Sequence, residues 1–121
     1  MSVNSAVISG HIGKMPELRF TKSGTAVLSF SVAVNERIKD DEGEWTDRPS
    51  WVKVTVFGRR AEGLSKILTS GSKVVVSGRL REDRWENNGV KKSSLGMIAD
   101  EIDLAGGKTL TDADYGYSEG F

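Results

Sequence analysis

Between Ser50 and Gly58 the side chains alternate in character with a period of two, and few folds satisfy both of the faces that result. Val52, Val54 and Val56 fall on one side; Trp51, Lys53, Thr55 and Phe57 fall on the other. A period of two is that of a strand with one face in a core. If the rings faced inward, three valines would meet water and Lys53 would be buried, so the valines are expected inside. Trp51 and Phe57 then share an outward face with a cation. Exposed rings gain nothing from water, but rings with positive charge between them suit stacked bases joined by phosphates.

The rest of the chain supplies a barrel's worth of strands. Residues 3–13 read as a first strand, with Ala6, Ile8 and Ile12 on one parity. Pro16 interrupts it, and residues 17–21 resume extended structure towards a turn at Lys22-Ser23-Gly24. From Thr25 to Val34 the pattern is plain: Ala26, Leu28, Phe30, Val32 and Val34 point one way, Ser29 and Ser31 the other. Residues 35–49 are polar and charged, a long loop or a β-ribbon. The period then lengthens. From Arg59 to Leu68, Ala61, Leu64 and Leu68 lie on one helical stripe beside Ile67, and Gly71 stands where a left-handed cap would end the helix. Residues 72–84 alternate again, with Val74, Val76 and Leu80 inward and Lys73, Arg79 and Arg81 outward. Asn87-Asn88-Gly89 marks a turn, and a last strand covers roughly residues 93–104.

Length and composition narrow the chemistry. The 121 residues suffice for about one domain with a modest core, and the chain has no cysteine and a single histidine, His11. Disulfides, thiolate metal sites and most histidine-based catalytic arrangements are thereby excluded. Neither a nucleophile elbow nor a glycine-rich phosphate loop is present. Asp100, Glu101 and Asp103 lie close in sequence but read as a solvated face, with no other ligand type nearby. No metal, cofactor or catalysis is expected. No apolar run approaches the ~20 residues that span a bilayer, and a cytoplasmic protein is expected. The net charge of zero hides an asymmetry: residues 1–99 hold 16 Lys+Arg against 11 Asp+Glu, and residues 100–121 hold 1 against 6. The body can attract phosphates while the tail repels them.

Strand, strand, strand, helix, strand, strand is the order of an oligonucleotide-binding (OB) barrel. That is an all-β, five-stranded Greek key with one short helix between the third and fourth strands, holding ligand on its second and third strands. The expected division is a barrel domain over residues 1–104 and a short acidic tail over 105–121. Several segments carry a closer likeness: Gly10-His11-Ile12-Gly13-Lys14, Pro16-Glu17-Leu18-Arg19-Phe20, Ser23-Gly24-Thr25-Ala26-Val27, Val56-Phe57-Gly58 with Ala61-Glu62, Gly71-Ser72-Lys73-Val74, Gly78-Arg79-Leu80 and Arg84-Trp85. In this order and spacing the chain resembles the bacterial and phage single-stranded-DNA-binding proteins from about Val3 to Leu104.

The resemblance implies a homotetramer that coats single-stranded DNA with little sequence preference during replication, recombination and repair. It implies stacking roles for Trp51, Phe57 and Trp85. A fourth family aromatic falls at Ile38, which leaves Trp45, further along the same segment, as its substitute or as a hydrophobic clasp for the loop. Lys53, Arg79, Arg81, Arg84, Lys91 and Lys92, with Arg59 beyond the aromatic strand, are the candidate phosphate contacts; taken singly, each is an ordinary solvated cation. The chain departs from the family at Ser70, where a basic residue is usual, and in lacking a long Gly/Gln/Pro-rich linker. Its end carries Asp112, Asp114, Glu119 and Phe121 without the usual aspartate run, and these are the candidates for recruiting replication and repair proteins. The alternative, on the same barrel, is a protein-interaction module of a primosome-like assembly whose aromatic face meets protein.

Overall fold

The alternating segments become long, strongly paired strands in the computed structural model, which describes residues 2–105. In chain order they are β1 (Ala6–Ile12), β2 (Glu17–Phe20), β3 (Ala26–Lys39), β4 (Trp45–Phe57), helix α1 (Arg59–Ser65), β5 (Lys73–Asn87) and β6 (Val90–Leu104). The sheet runs β1-β5-β6-β4-β3-β2, and an added β1–β3 pairing closes it. Five strands thus make the barrel, and β2 is an annex on the edge of β3. The helix lies between the third and fourth barrel strands, as expected for an OB fold.

All pairings are antiparallel except the short contact of β4 with β6, where Val54 faces Met97 and Thr55 faces Ile98. Closure demands a close backbone approach. A Cβ at Gly10 would stand 2.1 Å from the carbonyl oxygen of Ala33, so β1 can cross β3 only where it has no side chain.

The core is the one the alternation requires. Leu28, Phe30 and Val32 of β3, Val54 and Val56 of β4, Val74 and Val76 of β5, and Met97 and Ile102 of β6 are buried together, with Ile12 from β1. Ala61 and Leu64 of α1, and Leu68 beyond it, complete the packing.

Of four details, three differ from the expectation and one, the ribbon at residues 35–49, decides between its two alternatives. The helix stops at Ser65, three residues short; a backbone bond from Leu68 N–H to the Leu64 carbonyl (2.8 Å) keeps Leu68 on the buried side. Gly71 does not cap the helix. With φ 89° it occupies the third position of a turn closed by Ser72 N–H on the Thr69 carbonyl (3.1 Å), and the turn feeds β5. Residues 35–49 are a ribbon: the β3–β4 ladder continues without a break to Lys39 opposite Trp45. Asp40 closes its tip by accepting N–H bonds from Glu42 (2.9 Å) and Glu44 (2.8 Å) on Oδ1.

Leu80 is the fourth. It keeps the inward parity, facing Met97, but β5 has by then left the barrel, and Leu80 is 42% exposed. Here β5 and β6 form a second ribbon that ends at Asn88 and Gly89, both with positive φ, a turn that matches the twist of the strands. Asn4 steadies the root of this ribbon. Its side chain donates to the Leu80 carbonyl (2.9 Å) and accepts from the Leu80 N–H (2.8 Å), as a paired strand would.

Candidate nucleic-acid interface

β4 presents its rings outward while its valines fill the barrel. Trp51 is 60% exposed and Phe57 41%, whereas Val54 and Val56 are buried. The ladder adds Trp45, because residues 45, 47, 49, 51, 53, 55 and 57 share one parity once the segment is a strand. Trp45 is 57% exposed, and the segment that carries it is a paired strand. Trp45, Trp51 and Phe57 therefore stand six residues apart on one face, roughly 20 Å between successive rings at the rise of a strand. Ile38 faces Thr46 on the opposite side of the ribbon and is half-buried.

The second ribbon joins this face through β6. Thr55 of β4 lies beside Ile98, and Ile98 lies beside Arg79 of β5. Counting along the ladder puts Arg79, Arg81, Asp83 and Trp85 with Ile98, Gly96, Ser94 and Lys92 on the side of Lys53 and Phe57. Trp85 is 47% exposed, two residues before the turn on a paired strand. By the same count Arg84 and Lys91 project from the other side. The seven candidate cations thus do not form one stripe: Lys53, Arg79, Arg81 and Lys92 share the aromatic face, and Arg59 is exposed at the start of α1.

Charge on both sides of these strands is partly compensated from within. Arg79 lies 3.7 Å from Asp100, Arg81 lies 3.4 Å from Asp83, and Arg84 is paired with Glu82. On the β3–β4 ribbon Arg37 meets Asp47 at 3.8 Å. Among the described residues, two cations lie over rings: Lys39 Nζ is 5.6 Å from the centre of Trp45, and the Arg81 guanidinium is 5.6 Å from the centre of Phe57. Lys53, Thr55, Arg81, Asp83 and Ile98 line a shallow depression between β4, β5 and β6. At the end of the second ribbon an open hollow of about 570 Å³ is lined by Arg84, Trp85, Lys91 and Lys92 with Glu82 and Glu86.

Lys39, Asp83 and Gly13, against which the Trp51 indole lies, are the residues that sequence reasoning did not single out. Lys39 and Asp83 become visible only when the strand register is known; Gly13 carries no pattern signal beyond its place in a family segment. The tail residues Asp112, Asp114, Glu119 and Phe121 lie outside the described residues. Among the described residues, no group of three or more His, Asp or Glu is placed to hold a metal ion, and no helix is long and apolar enough to cross a membrane.

An OB barrel whose outer sheet carries rings and cations in alternation is a surface for a single nucleic-acid strand. The chain belongs to the single-strand binding protein family, whose model matches residues 3–105. A single-stranded DNA-binding protein of Borreliella burgdorferi is 39% identical over 116 residues, covering 93% of this chain and 77% of that one. Among solved structures, a deletion mutant of the Thermus aquaticus single-stranded DNA binding protein superposes with a TM-score of 0.76 at 31% identity, over 88% of this chain and 52% of that chain. A Plasmodium falciparum SSB in complex with ssDNA superposes with a TM-score of 0.75 at 28% identity, over 87% of this chain and 95% of that chain.

Proposed function

We infer that this protein binds single-stranded DNA with little sequence preference and protects it during replication, recombination and repair. The observation that carries the reading is the shared outward face of Trp45, Trp51, Phe57 and Trp85, interleaved with Lys53, Arg79, Arg81 and Lys92. Every base offers a flat face to a ring, and each base stacked on an aromatic contributes on the order of 1–3 kcal/mol, so stacking holds any sequence. The cations neutralise phosphates and release counterions. Neither step makes or breaks a covalent bond, and the protein acts as a binder rather than an enzyme, without a cofactor.

Assembly follows from the same economy. One small barrel touches few nucleotides, and linking several barrels raises the effective concentration of the next site along the strand. A homotetramer acting in the cytoplasm, with Asp112, Asp114, Glu119 and Phe121 of an acidic tail meeting replication and repair proteins, completes the proposal.

Titration with oligo-dT, followed by tryptophan fluorescence and by anisotropy of a labelled oligomer, tests it. Binding should quench the indoles, and Trp51→Ala combined with Trp85→Ala should remove most of the affinity. Tight binding retained by that double variant would overturn the site.

A further inference from the structure

Asp83 stands where a surface built for phosphates should have no carboxylate. It lies on the aromatic face, between Arg81 and Trp85 in the alternation of β5, and unlike its neighbours on the ribbon it is only half exposed. Its carboxylate is 3.4 Å from Arg81 Nε, and the same guanidinium lies 5.6 Å from the centre of the Phe57 ring. Asp83, Arg81 and Lys53 line one depression between β4, β5 and β6. The three groups form a chain: a carboxylate holds a guanidinium, and the guanidinium covers a face of a ring that a base would use.

We propose that Asp83 is an internal competitor for the DNA phosphate, an affinity-setting residue that holds Arg81 over Phe57 until a nucleic-acid strand displaces it. The inference rests on the single-stranded-DNA reading above. When DNA binds, Arg81 exchanges the carboxylate for a phosphate and uncovers the ring. The other acid–arginine pairs lie differently: Glu82 holds Arg84 on the opposite side of the ribbon, and among the described residues neither Arg79 nor Arg37 is placed over an aromatic ring. An exposed ion pair is a weak hold, so Asp83 tunes binding rather than blocking it.

A double-mutant cycle on the full chain tests this, with labelled oligo-dT anisotropy over a range of salt concentrations and a thermal melt of each variant. Asp83→Asn should tighten binding about 2- to 5-fold at low salt. Asp83→Glu, which keeps the charge, should bind as the parent does. In an Arg81→Ala background the gain from Asp83→Asn should vanish, because the competitor then has nothing to hold. A gain of equal size with and without Arg81 would show simple repulsion of phosphate and overturn the proposal, as would no gain at all while the parent binds. Failure of the parent itself to bind oligo-dT would overturn both this inference and the function on which it rests. If Asp83→Asn melts early, Asp83→Ser replaces it in the same cycle.

Discussion

The indole of Trp51 rests on Gly13. A Cβ built at Gly13 would stand 2.6 Å from ring atom Cζ3 and 2.9 Å from Cη2, closer than carbon atoms approach. Gly13 is itself held in place: its N–H donates to the Ser31 carbonyl (3.0 Å), and the Ser70 hydroxyl donates to its carbonyl. The rim of the ring at Cζ3 and Cη2 therefore lies against this backbone, while most of the side chain stays exposed. This explains how a tryptophan that is mostly exposed can still have a set orientation.

Gly13→Ala is accordingly expected to weaken oligo-dT binding several-fold by tilting the indole, without loss of fold. The loss should stay below that of Trp51→Ala, for which stacking predicts about 1–3 kcal/mol. Added to Trp51→Ala, Gly13→Ala should cost nothing more. Anisotropy titrations of the two single variants and the double variant check this. A full additive loss in the double variant would mean that Gly13 acts elsewhere.

Strand parity separates two adjacent lysines. Lys92 faces Trp85 on the aromatic side of the second ribbon, and Lys91 faces Glu86 on the other. Lys92→Ala should lower affinity and flatten the plot of log K against log salt by about 0.7, the value of one phosphate contact on a single strand. Lys91→Ala should leave both near the parent values. Equal slopes for the two variants would show that the strand wraps both sides of the ribbon.

Much of this was legible in the residues because alternation reports burial directly. Val52, Val54 and Val56 could fill a core only if Trp51 and Phe57 looked outward, and they do. What stayed hidden depends on pairing between distant segments. Residues 35–49 carry too much charge to show a hydrophobic period, so nothing local chooses between a loop and a ribbon; only the ladder puts Trp45 in line with Trp51 and sets Lys39 against it. Leu80 misled for the opposite reason, since its parity is inward but the barrel ends before it. Separating Lys91 from Lys92 required the register of β5 against β6, which the sequence does not encode within either strand.

Closure of the barrel gives a test of stability apart from binding. The missing side chain at Gly10 lets β1 lie against β3, and the atom that a Cβ would strike is backbone, the Ala33 carbonyl oxygen at 2.1 Å. Gly10→Ala must move a strand rather than a side-chain tip, and is expected to cost about 1–3 kcal/mol or more, as overpacking does. Urea unfolding should show a lower midpoint with an unchanged slope. A midpoint equal to the parent's would mean that β1 and β3 are not in register at this point.

The even spacing of the rings makes the role of Trp45 a question of ligand length. Trp51 and Phe57 are six residues apart, and Trp45 lies another six residues out along the same strand, about 20 Å further. An oligomer long enough to cover only Trp51 and Phe57 cannot reach the ribbon tip, so Trp45→Ala should leave its affinity unchanged. An oligomer that spans all three rings should lose about 1 kcal/mol or more, the lower end of what a stacked base contributes. Lys39→Ala should follow the same length dependence with a smaller loss, because Lys39 Nζ lies over the Trp45 ring and its charge meets only a strand that reaches that ring. Anisotropy titrations with a graded series of oligo-dT lengths, comparing Trp45→Ala and Lys39→Ala with the parent, read both effects. Equal losses at every length would place Trp45 in the stability of the ribbon, and no loss at any length would take the β3–β4 tip out of the DNA path.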